Sequence, residues 1–137
     1  HIPVFIAGLF LGGYAGLAVG ALTPVFSSLL TGMPPAMPSL PVMAVELAIY
    51  GAAGGYLYNG RRWNLLVSLA AAMVAGRLGA ALALYVMINM LKITIDFTAY
   101  MTGALVTGLP GIAIQLAVVP LLVKRLQTIF VKYVCKE

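Results

Sequence analysis

Two ionisable residues, Glu46 and Arg77, stand inside long apolar runs, while six of the eight Lys and Arg residues fall in two polar breaks. Arg61 and Arg62 occupy one break; Lys124, Arg125, Lys132 and Lys136 occupy the other. A chain of 137 residues that is 63% hydrophobic and 8% charged cannot hide its apolar side chains beneath a water-facing surface. Its mean hydropathy of +1.07 places it in a bilayer. The runs are continuously apolar and rich in Ala, Leu, Val and Gly, without the alternation of a membrane β-barrel, so the spanning element is the helix.

The net charge of +5 does not point to nucleic acid, because the basic residues flank apolar segments. Anionic lipid headgroups are the natural counter-charge. The single Cys135 excludes an internal disulfide and a cysteine metal cluster, and the one histidine, His1, makes a zinc site untenable. No cofactor or metal is expected. His1-Ile2-Pro3 enters an apolar run at once, with no initiator Met and no signal-peptide pattern, and is read as the start of a piece lacking an upstream segment.

About 20 apolar residues span a hydrocarbon core roughly 30 Å thick. Val42–Tyr58 is a short span closed by Asn59-Gly60; Leu65–Leu91 is a second, long enough to tilt or overshoot. Thr98 to about Val123 is a third, with Gly108-Leu109-Pro110-Gly111 expected to bend it or to start a helix. The first run, Pro3 to Leu30, fits either one span with a short helix after Pro24 or two short helices hinged at Gly12-Gly13. Lys and Arg in short loops mark the cytoplasmic side. Loops 59–63 and 124–137 are therefore expected inside, and loops 32–41 and 92–98 outside.

Four prolines should keep the stretch Gly32 to Pro41 extended. It is either a stiff connector or a lid over an external cavity, with Met33, Pro34, Pro35 and Met37 as its working residues and the methionines packing adaptably.

An intramembrane carboxylate is tolerated only when paired, protonated or wet, which makes Glu46, placed one turn inside its span, a functional candidate. Tyr50 follows at i+4 on the same face, so a carboxylate and a phenol project together. Arg77, in the middle of its run, must point into the bundle or a cavity, to bind a ligand anion or to pair with Glu46. Helix rise puts the two on the order of 10 Å apart along the membrane normal. Tyr85 and Asn89 form an i,i+4 pair turned away from the Arg77 face. Gln115 follows Gly108 and Gly111 on one face, leaving a notch for a ligand or another helix. Gly8, Gly12, Gly16 and Gly20 recur at the spacing of close helix packing. No phosphate-binding loop and no nucleophile-base pair is present, so any ATP-driven step belongs to another subunit and no enzyme activity is expected.

The order His1-Ile-Pro-Val, Ala7-Gly-Leu-Phe-Leu-Gly, Thr23-Pro-Val-Phe-Ser-Ser-Leu-Leu-Thr-Gly-Met-Pro-Pro, Glu46-Leu-Ala-Ile-Tyr-Gly and Thr107-Gly-Leu-Pro-Gly-Ile-Ala-Ile-Gln resembles the substrate-binding S component of energy-coupling factor (ECF) transporters over most of the chain. The resemblance implies a six-helix membrane protein that captures a vitamin or related micronutrient from outside and passes it through with a T subunit and two ATPases. It also implies that the first helix is absent here and that the first run is two short helices meeting near Gly12-Gly13, where the family usually has Gly-Pro. The ligand cavity would open outward, floored by the fourth to sixth helices and covered by the loops, which brings forward Glu46, Tyr50, Arg77, Tyr85, Asn89 and Gln115.

The expected fold is therefore an all-α integral membrane protein, a helical bundle of about five spans, six with the absent helix counted, forming one domain over residues 1–137. The expected function is that of a binding and translocation subunit in the cell membrane, in contact with lipid. The alternative is a structural membrane subunit whose polar residues only join helices.

Overall fold

The computed structural model describes residues 2–92 and 94–134, with side chains described as far as Ile129. His1, Cys135 and Lys136, discussed above, lie outside the described residues, as does the side chain of Lys132. Five α-helices follow in order: α1 (Ile2–Leu11), α2 (Gly13–Thr31), α3 (Ser39–Gly55), α4 (Leu65–Leu91) and α5 (Phe97–Val134). A wide π-type turn, Tyr56–Gly60, prolongs α3. Four of these units are long and apolar enough to cross a membrane: Gly13–Thr31, Ser39–Gly60, Leu65–Leu91 and Phe97–Ile129. At 10 residues, α1 is about 15 Å long, half of a typical hydrocarbon core. The chain is thus an all-helical, multi-pass membrane protein.

The ambiguity of the first run is resolved at Gly12, whose φ of +94° breaks the helix between α1 and α2. That backbone conformation strains any L side chain, which is why a glycine stands there. Gly12 is a hinge and not a packing contact: a Cβ built on it would meet nothing within 4 Å. The helix after the hinge is not short, since α2 runs 19 residues, straight through Pro24.

The other glycines of the repeat do pack. Gly13 lies against Ala52, Gly16 against Gly51, and Gly20 against Leu47, so α2 and α3 run antiparallel with their backbones touching. A Cβ at Gly16 or Gly20 would overlap the facing carbonyl group. Gly8 meets the Gly51 carbonyl from a third direction, so α1, α2 and α3 converge where none of them has a side chain. In lipid there is no hydrophobic drive between helices, and close approach of this kind supplies the dispersion contacts that hold them together. Phe5 stacks on Tyr50 with ring centroids 5.5 Å apart, and with Val4, Leu47, Leu69, Ala72, Val119 and Val123 they make the main core.

Three sequence expectations are corrected. Ser39, Leu40 and Pro41 belong to the first turn of α3 and not to an extended loop; the missing N–H of Pro41 is harmless there because the first turn has no intrahelical acceptor for it. No helix starts at Pro110: α5 continues through it and through Pro120. A proline removes only its own backbone bond, and in an apolar medium the remaining amides have no better partner than the helix. Residues 124–134 continue α5 and are not a loop.

The joints sort to two ends. At one, Asn59 Nδ2 donates to the Leu9 carbonyl at 2.8 Å, satisfying a terminal acceptor of α1, and Gln127 Nε2 donates to the Tyr58 hydroxyl at 2.8 Å. Those contacts bring the Arg61-Arg62 turn and the Lys124-Arg125 segment to the same end of the bundle. At the other end Tyr100 approaches Ser39, with its hydroxyl 3.4 Å from Oγ, and Asp96 caps α5 by accepting from the Thr98 amide at 2.9 Å and the Thr98 hydroxyl. These bonds hold the Asp96 carboxyl below its ordinary value of 3.8.

Replacing Gly12 by Ala is expected to lower the unfolding free energy by about 1–2 kcal/mol through backbone strain alone, while Gly16→Leu, which forces α2 off α3, should prevent recovery of a monodisperse protein; thermal denaturation and gel filtration in detergent check both. The depressed Asp96 acid stabilises the folded state above its unfolded value and loses that contribution as pH falls through the folded one. Asp96→Ala should therefore lower Tm at pH 7, with the gap from wild type closing as the pH is taken below 4.

Candidate functional site

α3 carries Glu46 and Tyr50 on one inward face, and the i+4 spacing read from the sequence becomes a hydrogen bond: the Tyr50 hydroxyl donates to Glu46 Oε1 at 2.5 Å. Arg77 Nη1 reaches the same oxygen at 3.2 Å. Glu46 is 6% exposed and Tyr50 2%, while the Arg77 side chain is 22% exposed, so a buried acid and phenol meet a half-buried guanidinium in an apolar protein.

Arg77 is paired with Glu46, and the pairing corrects the depth assigned to both residues. Helix α3 begins at Ser39, so Glu46 stands two turns inside it. Gly76 lies against the Tyr50 ring and the Glu46 carbonyl, and Gly79 against Ile49 and Val45, so the middle of α4 is level with Glu46. α4 overshoots α3 at the far end, and counting both from matching ends exaggerated their separation. Gly76 and Gly79 are thus positioning residues, allowing α4 near enough for its guanidinium to reach α3.

A cavity of about 380 Å³ opens on this pair, within the range of small-molecule sites, roughly 300–1,000 Å³. α3 contributes Ser39, Val42, Met43 and Glu46; α4 contributes Arg77 and Ala80. α5 lines it with Tyr100, Met101, Ala104, Thr107 and Gly108, and Met33, Pro34 and Pro35 border it from the loop. Of the four lid candidates Met37 alone is not in the lining, and it is 58% exposed.

The remaining candidates fall elsewhere. Tyr85 is 60% exposed on the overshooting part of α4, and Asn89 Nδ2 donates to the Tyr85 carbonyl of its own helix at 2.8 Å. Neither lines the cavity. Gln115 is half-buried two turns past Gly108, beyond the end of the lining. The Gly108 notch is real, but it is occupied by the Arg77 guanidinium: a Cβ at Gly108 would overlap Nη2, whereas Gly111 has open space. Sequence reading missed Ser39, Met43 and the α5 face 100, 101, 104, 107 and 108, whose i, i+1, i+4, i+7, i+8 spacing marks one side of a helix. That side mixes Tyr, Met, Ala, Thr and Gly, so hydropathy alone does not pick it out.

Among the described residues no cluster of His, Cys, Asp and Glu could hold a metal ion. Five packed helices, four of them long and apolar enough to span, with a paired acid and base at the wall of one cavity, define a multi-pass membrane protein. The family model for the ECF transporter, substrate-specific component, matches residues 1–123. The chain belongs to that family, and so is the membrane-embedded, non-catalytic S component of a transporter. Comparison with curated proteins and with solved structures gives no match.

Removing one partner of a buried ion pair leaves an uncompensated charge, so Arg77→Met is expected to destabilise by about 3–5 kcal/mol, and Glu46→Gln together with Arg77→Met should recover most of that loss. Detergent-induced unfolding of the four proteins of this double-mutant cycle measures it.

Proposed function

We propose that this S component captures a small vitamin-like molecule in the cavity between α3, α4 and α5 and delivers it across the cell membrane together with a T subunit and two ATPases. The observation that carries this reading is the ion pair of buried Glu46 and half-buried Arg77 in the cavity wall. Charges at membrane depth are retained where they serve a polar cargo or path. Glu46 and Arg77 supply hydrogen bonds to the cargo, Tyr50 orients the carboxylate, and Tyr100, Met43 and Met101 supply adaptable apolar contact.

The basic segments gather at one end of the bundle, around Tyr58 and Gln127, and the cavity lies toward the other. Lys and Arg near span ends favour the cytoplasm, so the cavity mouth and the Met33-Pro34-Pro35 loop would face outward, with that loop as a cover. Residues 1–137 act as one transmembrane domain in this reading. ATP hydrolysis falls to the partner subunits, since no phosphate-binding loop occurs in the chain.

Mass spectrometry of small molecules released from the purified protein is expected to find a stoichiometric ligand that raises Tm when added back. Arg77→Ala or Glu46→Gln should reduce retention by about 10-fold or more, the scale of one lost charge-assisted hydrogen bond. A protein with no releasable ligand and no thermal response would support the structural-subunit alternative.

A further inference from the structure

The contacts on the Glu46–Arg77 pair are lopsided. Tyr50 and Arg77 Nη1 converge on Glu46 Oε1, and among the described residues Oε2 accepts no hydrogen bond. On the guanidinium, Nη1 is used, Nε is buried without an acceptor, and Nη2 rests against Gly108. Nη2, beside Gly108 in the cavity lining, is thus the guanidinium nitrogen left to donate to a cargo acceptor. A free carboxylate oxygen, Oε2, and a free guanidinium nitrogen, Nη2, therefore flank the ion pair at one cavity wall, and the charges of the pair cancel.

Resting on the reading of this cavity as the cargo site, we propose that it selects cargo with no net charge, presenting an N–H donor and a carbonyl acceptor next to each other, as an amide, lactam or pyrimidinone edge does. The N–H meets Glu46 Oε2 and the carbonyl meets Arg77 Nη2. A carboxylate in that position would gain Arg77 but face Glu46; an ammonium would gain Glu46 but face Arg77. Either would add an unbalanced charge to a site walled by Val42, Met43, Ala80, Met101 and Ala104, where charge is poorly screened. Gly108 is the positioning residue of this arrangement, because only a residue without a side chain leaves the guanidinium room beside α5.

Benzamide, benzoate and benzylammonium share one shape and differ in charge, so they read the selection directly. The full chain in lipid nanodiscs is titrated with each by calorimetry and by displacement of the co-purified ligand. Wild type is expected to prefer benzamide by about 10-fold, Glu46→Gln to move the preference toward benzoate and Arg77→Gln toward benzylammonium, each by about 10-fold or more. Gly108→Ala, which changes no charge, should weaken benzamide without favouring either ion. A wild-type preference for a charged probe overturns the proposal even if a variant fails to fold. So does an order of preference unchanged by either charge variant, or failure of all three probes in a protein that still carries a co-purified ligand. Absence of any co-purified ligand together with failure of all three probes would instead remove the cargo-site reading beneath it.

Discussion

The bond from Arg77 to Glu46 is the constraint around which the other helices are arranged. In water such a pair contributes little; in a bilayer each member alone would be expelled or neutralised. Joined, and supported by the Tyr50 hydroxyl, they are tolerated, but only if α3 and α4 keep the spacing that a guanidinium can bridge. Gly76 and Gly79 set that spacing by letting Tyr50 and Ile49 lie directly on the α4 backbone. The same ring of Tyr50 stacks on Phe5, so α1 is tied to the polar site through an aromatic contact.

Stiffness is distributed unevenly through the bundle. α1, α2 and α3 are locked by backbone contact at Gly8, Gly16, Gly20 and Gly51, positions where no side chain intervenes and no rotamer can relax. α5 is held more lightly: among its described side chains the fully buried ones are Val119 and Val123, near the end where Gln127 bonds Tyr58. At the cavity end α5 touches its neighbours through Tyr100, Met101 and the Gly108–Arg77 approach. A three-helix wall locked by backbone contact thus faces a more lightly held helix across the cavity.

Much of this was legible beforehand because membrane residence makes a few residues expensive. Glu46, Tyr50 and Arg77 stood out as polar groups in apolar runs, and all three meet. The glycine repeat marked a close helix contact; Gly8, Gly16 and Gly20 lie against the α3 backbone, while Gly12 stands at the break between α1 and α2 with a positive φ. Tyr85, Asn89 and Gln115 were chosen by the same criterion of polarity, yet they lie outside the cavity. Polarity identifies which side chains need a partner and does not say whether the partner is a cavity, the chain's own backbone or the interface. Asn89 is satisfied by the carbonyl one turn back.

The amino-acid sequence alone determined the solvent, the element and the family: continuous apolar runs permit only helices in lipid, two basic segments fall at matching ends, and the ordered motifs agree with the match over residues 1–123. Tertiary structure decided the depths and the partners. Whether Arg77 reaches Glu46 depends on how far α4 slides past α3, a register set by the contacts of Gly76 and Gly79 with side chains distant in the chain. Such a register is a property of two surfaces brought together, and neither helix carries it by itself.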